Sequence, residues 1–344
     1  MQYKIQSSEK TTASGAEYET KALLYLMSFS KDCNDVYYFV VDFFNDLTGV
    51  DRYSDRLWDV QSKGNKNTPP KQIGKELVTL LKNYISEIEF ESYILFMGGV
   101  SNTVRVDNKK NVFNIDNVSD KAVKKIKEGL IEESREKQYI DENIINDKLI
   151  NDFLSKVCFV VDDKSKSEYI KNIIEVNPII IPEDIILEQI FDQIRDAQSS
   201  KKNNGNIEGI TIKSTDEFLY YNRHLDVNEI KMLVLSRLVN NNIMQKGIPP
   251  SFTDIYLKFP KISRKDKLED CQLSIARMLF DKNNADNFWE FFGDIYEVLS
   301  QDSNASIDIL YKKLDRKILN SMSSLDTLSV KYFMAIVKDG MYAN

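Results

Sequence analysis

Apolar and polar positions alternate with a period of two through Arg56-Leu57-Trp58-Asp59-Val60-Gln61-Ser62-Lys63-Gly64, the pattern of a β-strand. Trp58, Val60 and Ser62 then share one face, and Asp59, Gln61 and Lys63 the other. Upstream, a helix is expected over about 14–28, with Ser14 as N-cap and Glu19, Leu23 and Leu26 on one side. Glu17 falls off that line, with Lys21 and Leu24. The aromatic and β-branched run Val36–Val41 predicts a strand. A second short strand is expected within 46–53, and the third is the stretch at 56–63. After the loop Gly64–Asn67 and the Pro69-Pro70 punctuation, 71–88 reads as one helix, burying Ile73, Leu77, Leu80, Leu81, Tyr84 and Ile88. Tyr93–Met97 is a short buried strand that ends at Gly98-Gly99. The first three strands are too closely spaced for crossovers and must form a meander. The fourth, behind a helix, can lie parallel to a neighbour.

Beyond Gly99 the texture changes. Residues 100–118 are rich in Asn and Asp and suggest a hairpin around Asp107–Asn111. Helices are expected near 119–136 and 141–156, a strand at Val157–Val161, and a helix near 165–175. The apolar run Val176–Ile181 is interrupted by Pro178, and Pro182 follows it; a helical pattern resumes from Glu183 to Gln198. Ser199–Gly205, small, polar and basic, is the best linker candidate. A short strand (Ile207–Ile212) and helices near 226–244, 265–280, 285–300, 305–320 and 323–338 follow. Trp289, Phe291 and Phe292 read more readily as core than as a docking surface. The chain thus divides into an α/β segment over 1–100, a mixed α/β extension over 101–200, and a mostly α-helical region over 201–344 suited to assembly or partner binding.

Composition narrows function mainly by exclusion. The hydrophobic fraction of 42% and the charged fraction of 29% over 344 residues suit an ordinary core with room for two domains. No run approaches the roughly 20 apolar residues of a membrane span. The polar N-terminal residues carry no signal-peptide pattern. Cys33, Cys158 and Cys271 are odd in number and far apart, giving neither a disulfide framework nor zinc spacing, and a reducing cytoplasm is the natural location. The single histidine, His224, argues against histidine-rich zinc hydrolases and a Ser-His-Asp triad, and a plain packing or surface role is expected for it. The chain has no Gly-x-x-x-x-Gly-Lys-Ser/Thr, so ATP hydrolysis by a P-loop is not expected.

The chemistry lies around the central strand. An amide and a lysine two residues apart on a strand otherwise fit for burial must be paired or used. An acidic turn, Asn45-Asp46-Leu47-Thr48-Gly49-Val50-Asp51, precedes them. Acid followed by polar-x-Lys is the pattern of metal-dependent phosphodiester hydrolysis, which needs hard oxygen ligands and a positive group near the attacking water. The candidate ligands for Mg²⁺, or Mn²⁺, are Asp46, Asp51, Gln61 and Glu19, with Lys63 orienting or activating the nucleophile and Asp59 adding charge. The choice between Asp46 and Asp51 stays open. Taken alone, Asp59-x-Gln-x-Lys is more often a solvated sheet face, and Glu19 alone more often a salt-bridged helix residue. A net charge of −7 disfavours tight, free-standing DNA binding, because affinity for a polyanion comes largely from Lys and Arg on phosphates. Locally the sign reverses: Lys63, Lys66, Lys71, Lys75 and Lys82 follow the strand with Glu76 the only acid among them. Lys66, Lys71 and Lys75 are the candidate DNA contacts.

The helix–strand–strand–strand–helix–strand order with acid and Gln-x-Lys resembles the PD-(D/E)xK restriction-endonuclease fold. The Gln-x-Lys variant is similar to Mrr-type restriction enzymes. It is closer still to the double-stranded-DNA endonuclease domain of bacterial anti-phage effectors, as in the CBASS effector bearing a SAVED sensor and in nucleases encoded beside HerA-type ATPases. The residues that carry the likeness are Gly15-Ala16-Glu17-Tyr18-Glu19, Asp42 to Asp51, Trp58 to Gly64, and Lys71-Gln72-Ile73-Gly74-Lys75-Glu76-Leu77, within about 10–100. The resemblance implies a central mixed sheet flanked by helices, with Glu19 as the helix acid, Asp46 as the first metal-binding acid, and Gln61 with Lys63 as the core pair. It also implies a homo-oligomer, double-stranded DNA as substrate, and a HerA-like ATPase or other defence-system partner. Nothing in 150–344 looks like a SAVED domain, so cyclic-oligonucleotide sensing is not expected. The alternatives are a catalytically silent scaffold that keeps the fold, and a nuclease directed at RNA.

Overall fold

A computed structural model describes residues 3–5, 13–174, 182–240, 247–280, 285–302, 304–322 and 324–342. The apolar run Val176–Ile181 and the end of the helix expected over 226–244 lie outside these residues. The chain forms two compact units: Met1–Tyr169 with Phe191–Val227, and Ile170–Ile190 with Asn228–Asn344. The boundaries expected at 100 and 200 are therefore not where the chain divides.

Two short strands, β1 (Tyr3–Lys4) and β8 (Thr211–Ile212), form an antiparallel ribbon in the first unit. Its main sheet comprises β2 (Val36–Val41), β3 (Leu47–Asp51), β4 (Leu57–Lys63), β5 (Ser92–Met97), β6 (Val112–Phe113), β7 (Val157–Val161) and β9 (His224–Asp226), in the order β6-β7-β5-β4-β3-β2-β9. β2, β3 and β4 are the antiparallel meander, and β4, β5 and β7 run parallel. The short edge strands β6 and β9 pair antiparallel with β7 and β2. β7 and β6, expected in a separate extension, thus complete the same sheet. The predicted hairpin within 100–118 is instead a loop closed by one bridge between Arg105 and Val118, from which Val112 and Phe113 leave to pair with β7.

Helix α1 (Ala13–Ser28) packs on the face of Trp58, Val60 and Phe96; the Tyr25 and Phe96 rings lie 5.7 Å apart. The opposite face, with Tyr93, Leu95 and Met97, is covered by α2 (Pro70–Glu76), α3 (Val78–Tyr84), α4 (Asp120–Glu136) and α5 (Asp147–Lys156). α2 and α3 were expected as one helix. They part at Leu77, whose N–H bonds Gly74 O in a tighter i→i+3 turn. The break leaves α2 on α4, where backbones approach too closely for any Cβ: one built on Gly74 would sit 2.0 Å from Ile126 O, and one on Gly129 2.0 Å from Lys71 O. It also frees α3 to lie over the polar face of β4. α5 starts later than expected, with Asn146 as N-cap.

α6 (Lys166–Ile174) precedes α7 (Asp184–Lys202), the longest helix among the described residues. The latter absorbs most of the expected linker, carrying Ser199–Lys202 as its last turn. His224 on β9 sets its ring 5.4 Å from those of both Tyr38 and Phe218, a packing role. The second unit is helical: α8 (Val227–Leu238), α9 (Thr253–Leu257), α10 (Arg264–Phe280), α11 (Ala285–Gln301), α12 (Ile307–Lys313), α13 (Arg316–Ser321) and α14 (Thr327–Met341). The helix expected over 305–320 is two, parted at Leu314 and Asp315. Trp289, Phe291 and Phe292 are buried with Phe333 and form its core. Among the described residues no helix is long and apolar enough to cross a membrane.

Candidate functional site

The register of β3 and β4 pairs Leu47 with Val60, so Asp46, one residue before the strand, stands opposite Gln61. Gln61 Nε2 donates to Asp46 Oδ2 at 2.7 Å, and the Ser62 N–H and hydroxyl donate to the same oxygen at 3.1 and 3.3 Å. Gln61 Oε1 accepts from Thr79 Oγ1 on α3 at 2.6 Å. Although Asp46 keeps some solvent exposure, the protein packed around its carboxyl raises its pKa; lost hydration outweighs the Lys63 charge, the Ser62 amide and Lys202. Lys63, two residues beyond Gln61 on the same face, pairs with Glu76 of α2 at 3.2 Å. Gln72 in turn donates to Glu76 at 2.5 Å.

Asp42 and Asp46 bracket the turn between β2 and β3, closed by Asp42 N–H to Asp46 O at 3.1 Å. Asp42 has a φ of 55°, a left-handed conformation that Asp adopts more readily than most residues. From α1, Glu19 meets Lys202 of α7 at 3.3 Å; Lys202 also stands 3.9 Å from Asp42. Burial lifts the Glu19 pKa to about 7, with Lys202 opposing the rise and Asp46 and Asp42 adding to it. Glu19, Asp42 and Asp46 thus come within electrostatic reach of one another from separate parts of the chain.

Asp59 is fully buried and builds a neighbouring network. Asn83 of α3 donates to its Oδ2 at 2.7 Å, and Tyr3 OH donates to Asn83 Oδ1 and to Phe44 O at 2.8 and 2.9 Å. Lys82 donates to Tyr3 OH at 2.6 Å. Burial pushes Asp59 up to about 7 and Lys82 down to about 8, against their mutual attraction.

The other expected site residues are elsewhere. Asp51 lies at the far end of β3, about 17 Å of strand rise from Asp46. Its Oδ1 accepts from the Asp55 and Arg56 N–H groups at 2.8 and 3.1 Å, which fixes the turn into β4; of the two aspartates it is Asp46 that contacts Gln61. Lys71 and Lys75, expected on DNA, pair with Glu132 of α4 at 2.5 and 2.9 Å. Lys66 is exposed. Sequence reasoning gave no role to Lys202, Thr79 or Glu76. The spacing of Glu76 and Thr79 on a helix following Gln61-x-Lys63 was the available signal; for Lys202 there was none.

Asp46, Gln61, Glu19 and Asp42 offer hard oxygen donors of the kind Mg²⁺ or Mn²⁺ takes. Among the described residues no three His, Cys, Asp or Glu side chains are grouped closely enough to hold a metal. Gln61 also turns its NH₂, not its carbonyl, toward Asp46. The Thr79 hydroxyl can accept as well as donate, so reversing the amide keeps that bond and sets the Gln61 carbonyl beside the Asp46 carboxylate. That arrangement is unfavourable unless a cation stands between the two oxygens. The residues fit a hard cation with the amide reversed. No family model matches this chain, and no curated protein or solved structure is significantly similar to it.

Proposed function

We propose that the chain is a metal-dependent DNA endonuclease acting in bacterial anti-phage defence. The observation that carries this reading is the contact of Asp46, at the head of β3, with Gln61 on β4, with Lys63 projecting from the same face. Asp46 and Gln61 would hold the ion. When bound, Mg²⁺ lowers the pKa of a ligated water and offsets charge on the scissile phosphate. Lys63, held by Glu76, places a positive charge beside that phosphate and orients the attacking water. Glu19 adds a carboxylate from α1 at the opening of the site.

The net charge of −7 and the pairing of Lys71 and Lys75 with Glu132 leave little basic surface near the site. A partner such as a HerA-type ATPase, or self-assembly, would supply the missing cationic contacts and raise effective concentration on DNA. The three free cysteines agree with action in a reducing cytoplasm.

One observation favours a silent scaffold instead: Asp46 Oδ2 and Gln61 Oε1 already accept hydrogen bonds, from Gln61 and Ser62 and from Thr79, without an ion. The test is cleavage of supercoiled plasmid and of matched RNA, with Mg²⁺ or EDTA, by wild type and Lys63→Ala, each alone and with the ATPase. DNA cutting lost in EDTA and in Lys63→Ala is expected. Cutting of RNA alone would redirect the substrate. Intact nucleic acid throughout, with both proteins folded, would leave the scaffold.

A further inference from the structure

We propose that Lys202 is the resident counter-cation of this site: its ammonium neutralises Glu19 and Asp42 in the ion-free chain and competes with a divalent cation for them. The proposal rests on the metal-binding reading above. Lys202 Nζ stands 3.3 Å from Glu19 and 3.9 Å from Asp42, and its side chain is 15% exposed. It bridges acids from two separate segments, α1 and the turn after β2, and it acts electrostatically on Asp46 as well.

The nearby Arg223 does not share this role. Its guanidinium is 3.7 Å from the Asp42 carboxylate, but it donates hydrogen bonds to backbone carbonyls of Asn204, Gly205 and Asp42. Those bonds fix the chain after α7 and the turn after β2 to each other. Lys202 has carboxylates as its charged partners and sits at the last residue of α7, on a flexible four-carbon stem. A compact, mobile ammonium among carboxylates is a charge that can be displaced; a planar guanidinium pinned by carbonyls is not.

A divalent ion that draws on Asp46, Asp42 or Glu19 would meet the like charge of the Lys202 ammonium, so it must repel or expel it. Removing that charge should tighten metal binding on the order of tenfold, the scale of one lost like-charge contact at a partly hydrated site. Lys202→Arg keeps the charge and should bind as wild type does. Lys202→Gln removes the charge on a shorter side chain that still carries a hydrogen-bond donor.

The experiment is calorimetric titration of Mn²⁺ into full-length wild type, Lys202→Gln, Lys202→Arg and Asp46→Asn, without nucleic acid. Lys202→Met, which keeps the stem, is titrated beside Lys202→Gln so that one folded neutral variant is read. Tighter binding in the neutral variant, with Lys202→Arg near wild type, supports the proposal; binding detectable only in the neutral variant supports it most directly. Equal or weaker binding there, while Asp46→Asn still abolishes binding, overturns the counter-cation and leaves the metal site standing. No Mn²⁺ binding to wild type or to the neutral variant overturns both.

Discussion

Gln61 Nε2 lies 2.7 Å from Asp46 Oδ2, so the amide of one strand holds the carboxylate at the head of its neighbour. The contact determines what a charged replacement would do. Gln61→Glu sets two carboxylates in the place of a donor and an acceptor, and Thr79 can still donate to the new side chain. In EDTA the variant should be less stable by about 1–3 kcal/mol, the scale of a lost buried hydrogen bond plus like-charge repulsion. Mn²⁺ should restore most of that loss. Thermal melts with and without the ion check it; equal loss in both conditions would mean that no cation enters between residues 46 and 61.

The buried network beneath the site predicts an unusual pH profile. Asp59 rises from 3.8 to about 7 and Glu19 from 4.5 to about 7, so the folded chain holds these protons more tightly than the unfolded one. Between roughly pH 4 and 7 the native state therefore binds more protons, and stability falls as pH rises. Lys82 falls from 10.5 to about 8, so from about pH 8 the unfolded state binds more protons at this group and stability rises again, until above about pH 9 Cys158 and Cys271, each lifted from 9.0 to about 11 by burial, oppose the rise. The minimum lies between about 7 and 8. Asp59→Asn should remove of order 2–4 kcal/mol of the acid-side slope. Urea midpoints near pH 5, about 7.5 and about 9.5 would show it; a variant with the wild-type slope would sink the assignment.

The seam between α2 and α4 predicts a steric effect. Gly129→Ala would place a methyl 2.0 Å from Lys71 O, which is backbone and cannot swing away. The helices must separate, at a cost of about 2–4 kcal/mol. Because α2 carries Glu76, the pairing of Lys63 should loosen too. Denaturant unfolding measures the first effect. A melt unchanged by Gly129→Ala would mean the helices are not so closely apposed.

The basic run separates into two behaviours. Lys66 is exposed, and Lys66→Glu should weaken binding to duplex DNA and flatten its salt dependence. Lys71→Ala and Lys75→Ala remove partners of Glu132 and should leave DNA affinity nearly unchanged while lowering stability only slightly, as for solvent-screened ion pairs. Fluorescence anisotropy across a salt series distinguishes them. Equal losses of affinity in all three variants would return Lys71 and Lys75 to the nucleic-acid face.

The strands around the site were legible because each has a short, strongly patterned run: Val36–Val41 is aromatic and β-branched, and 57–63 alternates cleanly. Their antiparallel meander followed from loop length alone. Asp46 and Asp51 were indistinguishable in sequence because both flank the same predicted strand; only the register shows that one faces Gln61 and the other caps a turn. The break at Leu77 was hidden because the apolar positions of α2 and α3 continue in helical step across it. Lys202 was hidden by distance: nothing in Ser-Ser-Lys-Lys points to an acid in α1, and its small polar residues read as a linker although they complete a helix.

The sheet's two margins constrain how copies of the chain can assemble. β6 has two residues and β9 three, the shortest strands of the seven. Each margin therefore offers only a brief ladder, too short to template a strand from another molecule. Self-association through continuous pairing at these two margins is disfavoured, which favours assembly through side chains on helices and loops. An interface of that kind would be open to change by surface substitution while the sheet that aligns Asp46 with Gln61 stays untouched.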